Sequence, residues 1–265
     1  KIEYTFVKTF NQYTKEKITV LLAKALIDKA FSKNFYKTES EDELDLFSQN
    51  DSKIPYYILG SCKGVDLENL KYERIWEEAP LPVDDPENAF RVILGDFVTT
   101  EDGTGIVHTA PTFGADDYKA AKSAVPEVPP LQIIDENGNK VPLVDLKGKF
   151  IDNIGLISGK YVKNEYYDSS AIPEKSVDVE IAIKLKEQNL AFKVEKYSHS
   201  YPHCWRTDKP ILYYPMESWF IKISDLSERM FDLNKEINWQ PKSTGDGRFG
   251  NWLKSANDWN LSRSR

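Results

Sequence analysis

Two cysteines in 265 residues, Cys62 and Cys204, set the first boundary on what this chain can be. They lie far apart and no Cys-x-x-Cys occurs, which excludes a disulfide framework and a paired-thiolate zinc motif. His199, His203 and Cys204 fall close together, but three borderline ligands are one short of a structural zinc site. The interleaved Tyr201, Pro202 and Trp205 suit a packed turn better, so no metal is expected. Long apolar runs are also missing: none approaches the ~18 residues of a membrane span, and the start KIEYTFVKTF lacks the layout of a signal peptide. A soluble, cytoplasmic protein without a membrane partner is expected. Clustered Lys and Arg are absent too. With 35 basic against 42 acidic side chains the net charge is −7, which argues against a broad nucleic-acid groove while leaving room for a local one.

What is present is enough apolar material, 40% of residues, to bury a full core. Residues 1–10 and Ile18–Ala23 read as strands, the second running into a short helix through Lys29, and Tyr56–Cys62 and Phe90–Val98 read as two more. Glu136-Asn137-Gly138-Asn139 predicts a hairpin with a type I′ turn between Gln132–Ile134 and Lys140–Leu143. Ser176 predicts the N-cap of a helix running to about Gln188, with Val177, Ile181, Ala182 and Leu185 on one face. The acidic stretch Thr38–Ser52 reads as a solvated insertion without a role. Many strands and few helices predict a barrel-like, mainly antiparallel α+β domain over residues 1–200. From Tyr201 the texture changes: residues 1–200 hold 25 basic and 34 acidic side chains and 201–265 hold 10 and 8, and five of six tryptophans lie in that second segment.

The densest stretch runs from Gly103 to Tyr118, GTGIVHTAPTFGADDY. Gly103 and Gly105 permit a tight approach, Ile106 and Val107 favour a buried strand, and His108 emerges at its end. Pro111 and Gly114 punctuate a loop before Asp116 and Asp117 open a helix through Tyr118, Ala120, Ala121 and Lys122. On the residues alone the two aspartates can be helix-start anions. His108 can be an ordinary strand-end histidine, and Phe113 a core ring.

This run resembles the editing site of the isoleucyl-tRNA synthetases, class I aminoacyl-tRNA synthetases. The resemblance extends from VKTFNQYT through SHSYPHCWRTDKP and GDGRFGNW to NDWNLSRSR. Valyl and leucyl relatives share the Gly-Thr-Gly run without the same combination of His108, Phe113 and Asp116-Asp117-Tyr118. The resemblance implies a module that hydrolyses valine mischarged onto isoleucine tRNA, with residues 201–265 returning toward the α/β catalytic core. It implies catalytic and substrate-binding roles for Asp117, as the carboxylate that grips the α-ammonium, and for His108, as the group that positions ester or water. Phe113 and Gly114 would line the pocket. No cofactor is implied for editing; ATP and Mg belong to the catalytic core, whose HIGH and KMSKS motifs do not occur here. The implied partners are the 3′ end of tRNA(Ile) carrying valine and the remainder of the synthetase. Arg263 and Arg265 are either tRNA or adenylate-site contacts or solvent-exposed ends.

One departure stands out. The family's threonine-rich strand, close to WTTTPWTLPSN, would lie upstream of Lys1, and Thr99-Thr100 does not replace it. A polypeptide beginning at Lys1 is expected to have weak editing activity or none. The alternative expectation is a catalytically silent scaffold that binds the tRNA acceptor end and bridges domains.

Overall fold

β-Branched and aromatic residues crowd the first ten positions, and Glu3–Phe10 (β1) forms an inner strand of a four-stranded sheet. The structure, a computed structural model, describes residues 1–262; Arg263 and Arg265 lie outside the described residues. Strand order is β2-β1-β4-β3, with β2 at Lys17–Ala23, β3 at Phe35–Lys37 and β4 at Ile54–Lys63. β1 runs antiparallel to both β2 and β4, with a bulge at Phe6/Val7, while β3 joins β4 in parallel. β2 leads into the short helix α1 (Ile27–Ala30), as expected.

An inner strand is covered on both faces, and the burial of β1 shows it. Tyr4 and Val7 pack with Leu22, Leu26, Phe31, Tyr56 and Leu67, while Phe10 packs with Leu44 and Ile54. The polar positions between them are buried with partners: the Thr9 hydroxyl donates to Pro55 O at 2.7 Å. At the end of β1 four consecutive residues fasten residues 189–194. Asn11 Nδ2 donates to Ala191 O at 2.9 Å, Gln12 Nε2 to Phe192 O at 2.7 Å, and Thr14 Oγ1 to Asn189 Oδ1 at 2.9 Å, while Tyr13 OH accepts from Val194 N at 2.9 Å.

Several expectations are corrected. The sheet is open, with β2 and β3 as its edges, and the other sheets have two strands each, so the α+β domain contains no closed barrel among the described residues. Phe90–Val98 is not a strand: Phe90 sits at φ 52°, which breaks extended geometry, and only a single bridge between Lys71 and Arg91 forms nearby. The hairpin of β5 (Gln132–Ile134) and β6 (Lys140–Pro142) exists, but only Gly138 of its turn has positive φ, so it is not type I′. Asp135 takes over: its carboxylate accepts from the N–H groups of Asn137 and Asn139 at 2.9 and 2.7 Å, as an Asx-turn residue does. The acidic stretch is not merely solvated. Leu44 is 1% exposed within it, and Glu41 and Asp45 pair with Lys8 and Lys17.

Two helices complete the first compact unit, Lys1–Tyr214: α2 at Ala115–Ser123 and α3 at Val177–Glu187. Ser176 caps α3 as predicted, its hydroxyl accepting from Val179 N at 3.4 Å, and Val177 anchors the helix against Ile154 and Ile157. The second unit, Pro215–Arg265, holds helices α4 (Ser227–Asn234) and α5 (Gly250–Lys254). Its GDGRFG run forms a π-turn because bulk is excluded there: a Cβ on Gly245 would lie 2.1 Å from the Trp239 ring. Trp239 Nε1 in turn donates to Asn234 Oδ1 at 2.9 Å, and Asn234 Nδ2 to Gly245 O at 3.0 Å.

Burial separates two leucines of the acidic stretch that composition treats alike. Leu44→Ala is expected to destabilise the chain by about 2–5 kcal/mol in urea unfolding, whereas Leu46→Ala, at a position 81% exposed, is expected to change it by less than about 0.5 kcal/mol. Equal effects would show that the stretch is not anchored through Leu44.

Candidate functional site

The Gly-Thr-Gly turn is pinned to the end of β2. Thr104 O accepts from Ala23 N at 2.8 Å, and Gly105 O accepts from the Tyr4 hydroxyl at 2.6 Å. Gly105 adopts φ 74°, and a Cβ there would lie 2.6 Å from the Ala23 Cβ, so both conformation and space require glycine. Desolvation, followed by the neighbouring Cys62, pushes the Tyr4 phenol above its ordinary range, which keeps it a donor. On the outer side Lys29 Nζ donates to Glu101 O at 3.1 Å and pairs with Asp102.

Beyond this pin the expected strand is missing: Ile106–Ala110 has no regular structure, and Ile106, Val107 and His108 are exposed. β2 is an edge strand, but past the bond from Ala23 N to Thr104 O no backbone hydrogen bond joins these residues to it. Their side chains line a cleft of 830 Å³ whose walls are mainly apolar, including Val92, Leu131 and Val144. His108 and Phe113 both belong to this lining. The Phe113 ring meets that of Tyr214 edge-on, with centroids 6.2 Å apart.

A turn closes the run. Phe113 N and Gly114 N both donate to Ala110 O, at 3.2 and 3.1 Å, and the Thr112 hydroxyl donates to Leu131 O at 3.2 Å. Gly114 is the N-cap of α2 and offers no side chain. The two aspartates then diverge. Asp116 is exposed and pairs with Lys119 at 3.2 Å, while half-buried Asp117 folds back so that its Oδ2 accepts from Ala110 N at 3.1 Å. A Cβ on Gly114 would lie 2.5 Å from that oxygen. Glycine at 114 is thus what lets Asp117 reach the turn. Gly114 and Asp117 are not in the cleft lining themselves; Asp117 is joined to it through Ala110.

Two lining residues went unrecognised in the sequence. Arg91 is buried, and Arg74 is half-buried above the Phe90 ring at 5.8 Å. No spacing advertises them, because the segments that carry them pair irregularly. Elsewhere, His199, His203 and Cys204 form no group able to hold a metal among the described residues. Cys204 instead sits in a tight turn in which hydrogen bonds from the Thr207 hydroxyl and from the backbone of Arg206 and Thr207 pull its thiol below the ordinary range.

Residues 3–265 match the family of tRNA synthetases class I (I, L, M and V). Among curated relatives the chain is similar to the isoleucine--tRNA ligases of Cytophaga hutchinsonii (53% identical), Bacteroides fragilis strain YCH46 (48%) and Porphyromonas gingivalis strain W83 (46%). Each comparison covers 100% of this chain and 24% of the relative, so the chain spans 24% of the length of these proteins.

The pinning of the turn is testable at its two glycines, both of positive φ. Gly103→Ala meets open space and is expected to cost about 1 kcal/mol for the left-handed backbone alone. Gly105→Ala adds the overlap with Ala23 and is expected to cost at least about 1 kcal/mol more in urea unfolding. Indistinguishable values would mean that the turn does not rest on β2.

Proposed function

Because the chain belongs to the class I tRNA synthetases (I, L, M and V) and resembles isoleucine--tRNA ligases along its length, we propose that it is their editing module, hydrolysing the ester that joins valine to isoleucine tRNA. The observation that carries this reading is the joint placement of His108 and Phe113 in an apolar cleft whose lining residue Ala110 is bonded to the Asp117 carboxylate.

The reaction asks for water attack on an ester carbonyl. The water oxygen bonds to the carbonyl carbon, the bond from that carbon to the ribose oxygen breaks, and the proton lost by water ends on the departing ribose hydroxyl. The residues here act by binding and orientation. Asp117 Oδ2 is engaged by the turn, which fixes the carboxylate and leaves Oδ1 to accept from the substrate's α-ammonium. His108 orients the ester or the attacking water. Phe113, Ile106 and Val107 line the side of the cleft that would take an aliphatic acyl group, and this reading assigns the rejection of isoleucine to steric exclusion. A second, size-excluding site is needed because a synthetic pocket rejects one missing methylene only weakly, a limit for which this enzyme family is itself the usual illustration.

Hydrolysis of this kind needs no cofactor; ATP and Mg serve adenylate formation in the synthetic core. The substrate is the 3′ end of tRNA(Ile) carrying valine. In this reading the remainder of the synthetase holds the rest of the tRNA, and residues 201–265 lead back toward the catalytic core, their exposed Trp219 and Trp252 offering surface to it. Among the described residues no helix is long and apolar enough to cross a membrane.

One observation favours a second reading. The Asp117 carboxylate already has work in holding the Ala110–Gly114 turn, as a silent scaffold for the tRNA acceptor end would require. Deacylation of valyl- and isoleucyl-tRNA(Ile) separates the two, using this chain and the same chain extended upstream through the threonine-rich strand. Selective hydrolysis of the valyl ester is expected in the extended form. Asp117→Ala is expected to lower it about ten- to a hundredfold, the worth of one charge-assisted hydrogen bond. His108→Ala is expected to shrink the preference for the valyl ester. Absence of hydrolysis in both unsubstituted forms would leave the scaffold.

A further inference from the structure

Asn137-Gly138 is the single Asn-Gly pair in the chain, and it stands at the tip of the β5–β6 hairpin. Asn137 is exposed, and a Cβ built on Gly138 would meet nothing within 4 Å. The pair is open to water and no packed neighbour shields the glycine. In a flexible chain such a pair is chemically short-lived, because the glycine nitrogen reaches the asparagine side-chain carbon with no side chain of its own in the way.

What restrains the pair here is one residue. Three consecutive N–H groups converge on Asp135: Asn137 N and Asn139 N donate to its Oδ1 at 2.9 and 2.7 Å, and Gly138 N donates to its main-chain oxygen at 3.0 Å. Asn139 adds its side chain, with Nδ2 donating to Asp135 Oδ2 at 3.3 Å, and its main-chain oxygen accepts from Asp135 N at 2.9 Å. The Asn139 N–H above all holds the Asp135 carboxyl below its ordinary range, so it stays an anion at neutral and alkaline pH. The nitrogen that would attack is thereby kept as a hydrogen-bond donor, and the peptides on both sides of it are tied to the same residue.

We propose that Asn137 is a deamidation site gated by Asp135. When the turn opens, a local event that leaves the rest of the fold intact, Gly138 N gives its proton to solvent base and attacks Asn137 Cγ. The new bond joins that nitrogen to Cγ, the bond from Cγ to Nδ2 breaks, and Nδ2 leaves as ammonia after taking a proton from water. Water then opens the cyclic imide. Addition at Cγ breaks its bond to Gly138 N and leaves aspartate, while addition at the main-chain carbonyl carbon breaks that bond instead and leaves isoaspartate, linked onward through Cγ. Either way Gly138 N recovers a proton, one water is consumed and one ammonia is released. Isoaspartate lengthens the main chain by one methylene, so the spacing of the three N–H groups on Asp135 is lost. The base of this hairpin supplies Leu131 and Leu143 to the cleft lining, and Leu131 O holds the Thr112 hydroxyl at 3.2 Å, so the change falls on an element of the cleft wall. The inference is independent of what the cleft binds.

Ageing the whole chain in mildly alkaline buffer, followed by peptide mass spectrometry, tests the site. Conversion of residue 137 is read as the mass gain of an amide exchanged for an acid, and isoaspartate as resistance to a protease that cleaves before aspartate. The folded chain is expected to convert at least about tenfold more slowly than the chain unfolded in guanidinium, and Asp135→Ala to convert about tenfold faster than the folded unsubstituted chain, the factor that one hydrogen bond to a charged group is worth in an opening equilibrium. Asp135→Ser, whose hydroxyl supports a weaker turn of the same kind, is expected to fall between the two. Gly138→Ala is expected to convert slowest even when unfolded, because its methyl group obstructs the attack. The comparison of folded with unfolded chain needs no variant and stands whether or not Asp135→Ala folds. The proposal is overturned if residue 137 converts equally fast in the folded and unfolded chain, if Asp135→Ala converts no faster than the unsubstituted chain, or if the unfolded chain shows no conversion at residue 137.

Discussion

A Cβ at position 105 would lie 2.6 Å from the Cβ of Ala23, and the candidate site depends on that closeness. The sheet ends where β2 ends, and the chain reaches it across Thr104 and Gly105 through two hydrogen bonds, one from Ala23 N and one from the Tyr4 hydroxyl. Burial of Tyr4 makes the second bond hard to exchange for water, because an unpaired phenol in that position is costly. The rest of the run, from Ile106 to Tyr118, therefore starts from a fixed point on a rigid sheet although it has no strand of its own. A site borne on an irregular loop keeps its geometry only when the loop is anchored at both ends. The second anchor is Asp117, whose return to Ala110 depends on Gly114 just as the first depends on Gly105.

Between the anchors the side chains fail to bury one another. Ile106 and Val107 stand exposed beside His108 although their shape suits a packed strand. A monomer gains nothing in stability from such an arrangement. It leaves an apolar surface unburied in the lining of the cleft. In the proposed editing reading this surface is the acyl-binding wall.

The elements legible in the sequence were those set by near neighbours. β1, β2 and β4, the Ser176 cap and the loop at Pro111 that leads into α2 follow from periodicity, capping and turn chemistry over a few residues. His108 and Phe113 were singled out through resemblance; both lie in the cleft lining, and their roles stand as part of the proposal. What escaped depends on partners far along the chain. Leu44 reads as part of a solvated acidic stretch until Phe10 and Ile54 close around it. Phe90–Val98 has strand composition, but its partner at residues 69–74 meets it with Phe90 in a left-handed conformation, so a ladder never propagates. The barrel expectation failed for a related reason: counting strands says nothing about whether the first and last edges meet. Arg91 was missed because its neighbours Asn69, Asn88 and Pro126 come together only in the fold.

The acidic character of the whole and the basic character of the cleft fit together. An anion approaching a surface of net charge −7 is repelled over most of it, and at physiological salt that repulsion is screened beyond about 8 Å. Within that distance only the local charges act, and in the cleft these are Lys1, Arg74, Arg91 and the single carboxylate Asp96, the two arginines being held by carbonyl and amide oxygens that do not cancel them. Had each arginine been paired with a carboxylate, the wall would be equally well packed and electrostatically mute. Neutral acceptors fix a guanidinium without spending its charge, so the fold can be acidic overall and still hold an anion at one place. The Asp117 carboxylate lies outside the lining and is bonded to its residue Ala110, whose backbone N–H fixes it without neutralising it.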